Sequence, residues 1–523
     1  MKKTIFDKIN FSSDNISLIQ DDRKISYRQL KELINQTKNY LKQVNAKRVA
    51  AVLDNSIEWV LIDLACQMTN IVFIPLPPFF SQEQIQHALT VTATDTLFVH
   101  DINRDKPIQL NKDESFEGFT SSNKKCNFKN IKCLQHQLNT WVELPKNTVK
   151  ITFTSGSTGT PKGVCLSIEN QISVAQSLVE TIAIERPRHL CLLPLSTLLE
   201  NIAGVYAPLI CGGSIILVSG EKRGLMGSSK LNAKQLLSTI SINQPDSLIL
   251  VPELLFVLVS AAEQGWPAPA SLKFIAVGGS KVCTDLLDRA ATVRLPVYQG
   301  YGLSECASVV CLCSPQDNRL GSVGRPLSHI KLSFEHDEII IKGNSFLGYL
   351  GDKKSWYPHQ VRSGDLGRVE DNGQCFISGR IKNLIVTSFG RNISPEWIEA
   401  ECLQKRIMSQ SLLQQCVVFG DAKPFCIALI HPFEPDIKAG SVARFIMQIN
   451  EMLPDYAQIK NWLILKQPLS EKLGLMTENN RPKRLAIQQY FTKEIEQLSQ
   501  SHHPYFMLNI NTPILQPEQE SPQ

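Results

Sequence analysis

The sequence predicts an α/β protein with a large multi-layer N-terminal domain of mostly parallel sheets, a β-rich subdomain, and a small α+β C-terminal domain. Three observations carry that prediction. The chain has 523 residues, too many for one ordinary core. Its first half alternates short β-branched runs with helical patterns of roughly 10–15 residues, the texture of βαβ units that feed a parallel sheet. From position 337 the texture changes to hairpins, and after about 383 to a shorter α+β alternation.

The elements follow in order. A helix-like stretch runs from Ser26 to about Leu41, then RVAAVL (48–53) reads as a strand and 56–69 as a helix. IVFIPL (71–76) and TLFVH (96–100) read as strands around a helix at 82–92. Residues 101–147 are polar, rich in Lys, Asn and Ser, and read as a surface insertion or long connection. Strand patterns return at VKITFT (149–154), HLCLLPL (189–195), SIILVS (214–219), SLILV (247–251) and LKFIAVGG (272–279). DEIIIKG and GQCFISG then read as hairpin strands. NLIVTS, a helix from Pro395 to about Leu403, QCVVFG and FCIALIHP make up the α+β end. The last twenty or so residues, with four prolines and several Gln and Glu, are expected to be a frayed, disordered tail.

Composition excludes several classes. Hydrophobic residues at 43% and charged residues at 20% belong to a folded globular protein. A net charge of +5, with Lys and Arg scattered, gives no case for nucleic acid. Fourteen cysteines without regular spacing, and no apolar region after the N-terminal lysines, point to a cytoplasmic protein with reduced thiols. Cys311 and Cys313 have no second pair at zinc spacing, so no structural metal is expected. No apolar run reaches the roughly 20 residues that a membrane helix needs, which leaves only peripheral membrane contact open.

The sharpest local feature is TFTSGSTGTPKGVCLS, Thr152 to Ser167. Gly156, Gly159 and Gly163 let the backbone approach a ligand, and successive N–H groups in such a turn form an anion-binding nest. Thr154, Ser155, Ser157 and Thr158 add hydroxyls and Lys162 adds a charge, donor types that suit a triphosphate. The string is not a Walker motif, because Lys162 follows Pro161 and precedes Gly163. By composition alone a flexible connector remains the alternative.

TSGSTGTPKG resembles the phosphate loop of the adenylate-forming superfamily, which includes acyl-CoA synthetases, peptide-synthetase adenylation domains and firefly luciferase. YQGYGLSE (298–305), SGDLG (363–367), GRIKNLIVTSFGRNISPEWIE (379–399) and TENNRPKR (477–484) resemble further segments of that family, in the family's order. The texture of 381–396 is most similar to long-chain fatty acyl-CoA synthetases. The resemblance implies ATP and Mg²⁺ as cofactors and coenzyme A as co-substrate. Residues 154–162 would grip the β- and γ-phosphates. Glu305, with Thr158, would hold Mg²⁺, a hard cation that prefers oxygen; the alternative for Glu305 is a carboxylate at a helix start. Tyr301, Gly302 and Ser304 would lie against adenine and the α-phosphate. Asp365 would accept from the ribose hydroxyls, the alternative being an Asx turn. Arg380 would reach ribose or phosphate, or form an interdomain salt bridge. Gly278, Gly279 and Ser280 would form one wall of the acid tunnel. Lys382 would pivot a mobile lid, with residues 1–378 as the N-terminal domain, 379–382 as hinge and 383–523 as lid, and in a second pose Gly390 would line a thiol tunnel.

Two departures stand out. The family's catalytic lysine follows a glycine in T-x-x-G-K-x-x-R, and alignment on Thr477 and Arg484 puts Asn480 at the glycine and Arg481 at the lysine. Either Arg481 acts, although Arg is not equivalent to Lys, or Lys483 does. In LPLSTLLEN (193–201), Thr197 stands where many acyl-CoA synthetases carry His. Leu195 stands where amino-acid-activating relatives carry the Asp that pairs with an amine, which favours an apolar acid. The expected reaction is activation of a medium- to long-chain fatty acid as its adenylate, then transfer to coenzyme A. The rivals are an acyl-AMP ligase that loads a carrier protein, and a degenerate member that binds nucleotide or lipid without turnover. The sequence leaves chain length and oligomeric state undetermined.

Overall fold

A computed structural model describes residues 5–100, 116–124, 126, 128, 130–137, 141–154, 162–226, 230–388, 391–404, 412–434, 437–477, 480–501 and 507–509. Two large sheets organise the N-terminal part. In the nine-stranded sheet, Val297–Leu303, Phe274–Val277, Ser247–Leu250, Arg188–Cys191, Ser214–Leu217 and Ile16–Gln20 run parallel, with antiparallel strands at both margins. In the eight-stranded sheet, Lys150–Thr154, Val72–Pro75, Arg48–Val52 and Thr96–His100 run parallel. These central strands are buried on both faces, which is why they read as continuous apolar runs. The helices between them begin at hydroxyl caps: the Oγ of Ser26, Ser81 and Ser167 accepts from the residue three ahead, in capping boxes.

A four-stranded antiparallel sheet follows, Lys331–Glu335, Glu338–Lys342, Val361–Val369 and Cys375–Arg380. The C-terminal part packs Pro395–Gln404, Ala439–Asn450 and Thr492–Gln500 on a sheet of Leu413–Phe419, Cys426–Pro432, Ile459–Ile464 and Met507–Asn509. It has apolar cores of its own, around Ile398, Phe445 and Trp462 on one face and Leu463 and Phe491 on the other.

Three expectations change. Within the polar stretch 101–147, Ile131–Gln135 pairs antiparallel with Thr96–His100 and with Thr120–Ser121, so this stretch extends the sheet as well as covering it. The strand expected over 189–195 ends at Cys191, because the Leu193 and Leu195 N–H groups donate to the Glu200 and Asn55 side chains instead of to a strand. In the expected tail, Met507–Asn509 pairs with Trp462–Ile464, and residues 510–523 lie outside the described residues. All fourteen cysteines are free thiols. No described helix is long and apolar enough to cross a membrane.

Candidate active site

A cleft of about 3470 Å³ opens between the N-terminal sheets and the C-terminal part, and the candidate residues gather along it. Thr154 ends one strand and Lys162 begins the next, and the two are antiparallel cross-strand partners on either side of the glycine-rich string. Ser155, Gly156, Ser157, Thr158 and Gly159 lie outside the described residues, as does Gly390.

Beside that strand pair, the Tyr349 hydroxyl donates to Glu305 Oε1 at 2.8 Å, and Lys162 Nζ sits 5.2 Å from the centre of the Tyr349 ring. Glu305 lies in a 3₁₀ turn, Ser304–Cys306, which continues directly from Val297–Leu303. Glu305 lines the cleft, and among the described residues no hydrogen bond is made to its Oε2; a carboxylate oxygen is a donor type that fits a hard divalent cation. Tyr349 was not singled out in the sequence; FLGYLGD carries no pattern that marks it.

Opposite stands a triad. Asp365 is 3% exposed; its Oδ2 accepts from the Tyr301 hydroxyl at 2.6 Å and its Oδ1 from Arg380 Nε at 2.7 Å. Burial and the Asp365 charge push the Tyr301 phenol well above its ordinary value, so it stays a donor. Burial lowers the Arg380 guanidinium, but Asp365 outweighs it and the net shift is upward. Arg380 and Asp365 are cross-strand partners in one sheet, so their pair is not an interdomain bridge. Gly302 is required by close approach: a Cβ there would run into the Ser308 carbonyl oxygen.

Gly278, Gly279 and Ser280 follow Phe274–Val277. Gly279 has φ of +91°, and its carbonyl accepts from Arg481 Nη2 at 2.5 Å. The Arg481 loop is closed on itself: the Thr477 N–H donates to the Arg481 carbonyl at 2.8 Å and the Arg481 N–H to Thr477 Oγ1 at 3.0 Å. Asn480 has φ of +54°, so the residue in the glycine slot adopts the left-handed conformation that Asn tolerates best after Gly. The cleft walls and the Arg380 charge lower the Arg481 guanidinium, with Glu253 and Asp365 opposing, although the side chain still meets solvent. Glu253, an exposed side chain whose carboxyl the surrounding cleft walls raise, is a second cleft residue that sequence reasoning missed. Lys483 lines the cleft but precedes the helix Arg484–Tyr490, and its N–H donates to the Leu475 carbonyl. Arg484 Nη2 donates to both Glu399 carboxylate oxygens, at 2.8 and 2.6 Å. Lys382 is exposed in the 3₁₀ turn Ile381–Asn383, at the cleft edge. The Thr197 hydroxyl donates to the Pro194 carbonyl and is not free to orient a carboxylate in the manner of a histidine.

Residues 6–339 match the family of AMP-binding enzymes, and residues 382–503 match the AMP-binding enzyme C-terminal domain. The chain belongs to the AMP-binding enzyme family. As a member of that family it is similar to the 2-succinylbenzoate–CoA ligase of Staphylococcus epidermidis, 26% identical over 405 residues that cover 74% of this chain and 79% of the relative. It is also similar to a long-chain-fatty-acid–CoA ligase of Mycobacterium bovis, 25% identical over 432 residues, 66% of this chain and 68% of the relative. The likeness to long-chain synthetases is therefore shared with ligases of another acid. Among solved structures, the O-succinylbenzoate–CoA synthetase of Bacillus subtilis in complex with ATP and magnesium matches with a TM-score of 0.70 at 21% identity, covering 92% of this chain and 98% of that one. An anthranilate–CoA ligase with anthranoyl-AMP matches with a TM-score of 0.73 at 17% identity, covering 93% and 97%. At these identities the structures share the fold of this AMP-binding enzyme.

Proposed function

We propose that this AMP-binding enzyme is an acid–CoA ligase that forms an acyl-adenylate from ATP and then a thioester with coenzyme A, and that its acid is an apolar monocarboxylate, a medium- to long-chain fatty acid. The observation that carries the reading is the convergence on one cleft of Tyr301, Asp365 and Arg380, of Glu305, Tyr349 and Lys162, and of Arg481 from the C-terminal part. Attack of a carboxylate on the α-phosphate brings two anions together, so the protein's work is positioning and charge neutralisation. Asp365 and Arg380 are read as the ribose clamp, residues 154–162 as the β- and γ-phosphate grip, and Glu305 as the magnesium ligand. Magnesium, when bound, neutralises phosphate charge. Arg481 is read as the cation at the reacting phosphoryl group, because its guanidinium reaches the Gly279 carbonyl while Lys483 sits at a helix start. Lys382 and residues 379–382 are read as the pivot that later brings 383–523 into a thioester-forming pose.

Three features support an apolar acid. Leu195, which aligns with the amine-pairing Asp of amino-acid-activating relatives, is an apolar residue packed in the core at 1% exposure, so that position offers no charge to an amine. Leu199, Ala203 and Ala276 line the same cleft as Gly278. The charged groups there are already engaged, Arg223 with Asp54 at 2.6 Å and His189 with Glu200 at 2.9 Å, which offers little to a second carboxylate. Purified protein given ATP, magnesium, coenzyme A and saturated acids should release AMP and pyrophosphate. Because each buried CH₂ contributes about 0.8 kcal/mol, kcat/KM should climb from about eight carbons until the pocket is full. Preference for 2-succinylbenzoate or benzoate would overturn the acid assignment. Thioester formation on a phosphopantetheinyl carrier but not on coenzyme A would overturn the acceptor.

A further inference from the structure

The helix that spans 198–210 changes register midway. It is α-helical at both ends and widens to a π-helix over Glu200–Tyr206, where the Ala207 N–H donates to the Ile202 carbonyl five residues back. Such segments are rare and concentrate at functional sites. Two buried polar clusters hold this one. Lys150 is 0% exposed; its Nζ lies 3.0 Å from Asp63 Oδ1, donates to the Tyr206 hydroxyl at 2.7 Å, and donates to the Asn201 side-chain oxygen. Asp63 Oδ2 accepts from Asn201 Nδ2 at 2.9 Å and from the Tyr206 hydroxyl at 2.6 Å. Asn201 and Tyr206 are five residues apart. On an α-helix, side chains that share a face are three or four apart, so one ion pair reaches both through the widened turn. On the other side, Glu200 Oε1 pairs with His189 Nε2 at 2.9 Å and Oε2 accepts from the Leu193 N–H at 3.2 Å. Gly204 makes room for that contact, because a Cβ there would lie 2.5 Å from Glu200 Oε1 and 2.7 Å from His189 Nε2.

With those positions anchored, Leu199, Ala203 and Ala207 of 199–207 line the cleft, flanked by Leu198 and Pro208. A buried ion pair is weak evidence for stability, and its best-attested use is to specify register. We infer that the Lys150–Asp63 pair is a selectivity device: by pinning the π register through Asn201 and Tyr206, it fixes which side chains of 199–207 form the wall against the acid. The inference rests on the acid-ligase reading above. Lys150 touches no substrate and is a positioning residue, although its strand runs on to Thr154 and the glycine-rich string.

The test uses the full chain and two variants. Tyr206→Phe removes one hydroxyl and keeps the ring; Lys150→Met removes the charge. Without any substrate, hydrogen exchange of amides 197–210 should rise about tenfold or more in Tyr206→Phe, with the helix Ile57–Thr69 unchanged. With saturating ATP, the ratio of kcat/KM for octanoate to that for palmitate, read by pyrophosphate release, should move about tenfold, the scale that one misplaced methylene brings, while KM for ATP stays within about twofold. Unchanged exchange overturns the pin. Faster exchange with an unmoved acid ratio overturns the selectivity role and leaves a structural one. If Lys150→Met does not fold, Tyr206→Phe carries both readouts. If the wild type turns over neither acid, the fatty-acid reading falls and with it the selectivity claim, while the exchange measurement still judges the pin.

Discussion

Asp365 is held from two sides, by Tyr301 and by Arg380, and each carboxylate oxygen keeps a lone pair for a ribose hydroxyl. Removing it leaves the Tyr301 hydroxyl and the Arg380 guanidinium without their acceptor and takes away a charged acceptor for the ribose. Asp365→Ala should raise KM for ATP by roughly 10–100-fold, the scale of a hydrogen bond to a charged group, measured by pyrophosphate exchange against ATP concentration. Arg481 is the sharper case. Arg481→Ala should lower acid-dependent exchange by roughly 10²–10³, as removal of one charge-stabilising donor does elsewhere, while Lys483→Ala stays near wild type. The opposite ranking would move the catalytic charge to Lys483. Arg481→Lys should recover only part of the rate, because an ammonium lacks the planar fork. The sequence aligned Asn480 with the family's glycine but left the choice of cation open. The reading of Arg481 as that cation rests on its reach to the Gly279 carbonyl, a contact between distant segments that letters alone do not show.

At the scale of elements, Tyr349 joins the start of one strand to the turn that ends another, with its ring beside Lys162 and its hydroxyl on Glu305. Two substitutions separate these roles. Tyr349→Phe should weaken magnesium-dependent ATP binding by a few-fold, about the 0.5–1.5 kcal/mol of one hydrogen bond, with magnesium-free binding unchanged. Tyr349→Leu should also weaken magnesium-free binding, through loss of a cation–π contact worth roughly 0.5–1 kcal/mol. Isothermal titration with and without magnesium reads both. Gly302 sits at a register shift between strands, and Gly302→Ala should lower stability by roughly 1–3 kcal/mol in a thermal scan, as overpacking does. The parallel strands were legible because their apolar runs need no partner to be recognised. Ile131–Gln135 was not, because one face of it is only half-buried and its flanks are polar. The early end of Arg188–Cys191 was not legible either, since Glu200 and Asn55, distant in pattern, take the N–H groups that would have continued the ladder.

At the scale of the molecule, Gln404 is a main polar contact of the C-terminal part with the N-terminal part among the described residues. Gln404 Oε1 accepts from the Cys283 N–H at 2.7 Å, its Nε2 donates to the Lys281 carbonyl at 3.0 Å, and Arg289 reaches its carbonyl at 3.3 Å. This is the pose that delivers Arg481 to Gly279. Gln404→Ala should slow pyrophosphate exchange about three- to tenfold, the equivalent of one or two hydrogen bonds, and slow thioester formation from preformed acyl-adenylate much less. Equal slowing of both steps would show that the contact is not specific to this pose. The order of the motifs foretold that these parts must meet; the contacts that fix the meeting are spread over Lys281, Cys283, Arg289 and Gln404, which share no local pattern. The most direct test of the central claim is exchange of labelled pyrophosphate into ATP with magnesium and an acid panel, before any coenzyme A is added. Exchange that depends on an apolar acid, and that is lost in Arg481→Ala, is the expected result. Tight ATP binding with no exchange for any acid would contradict it and make the cleft a nucleotide site without turnover.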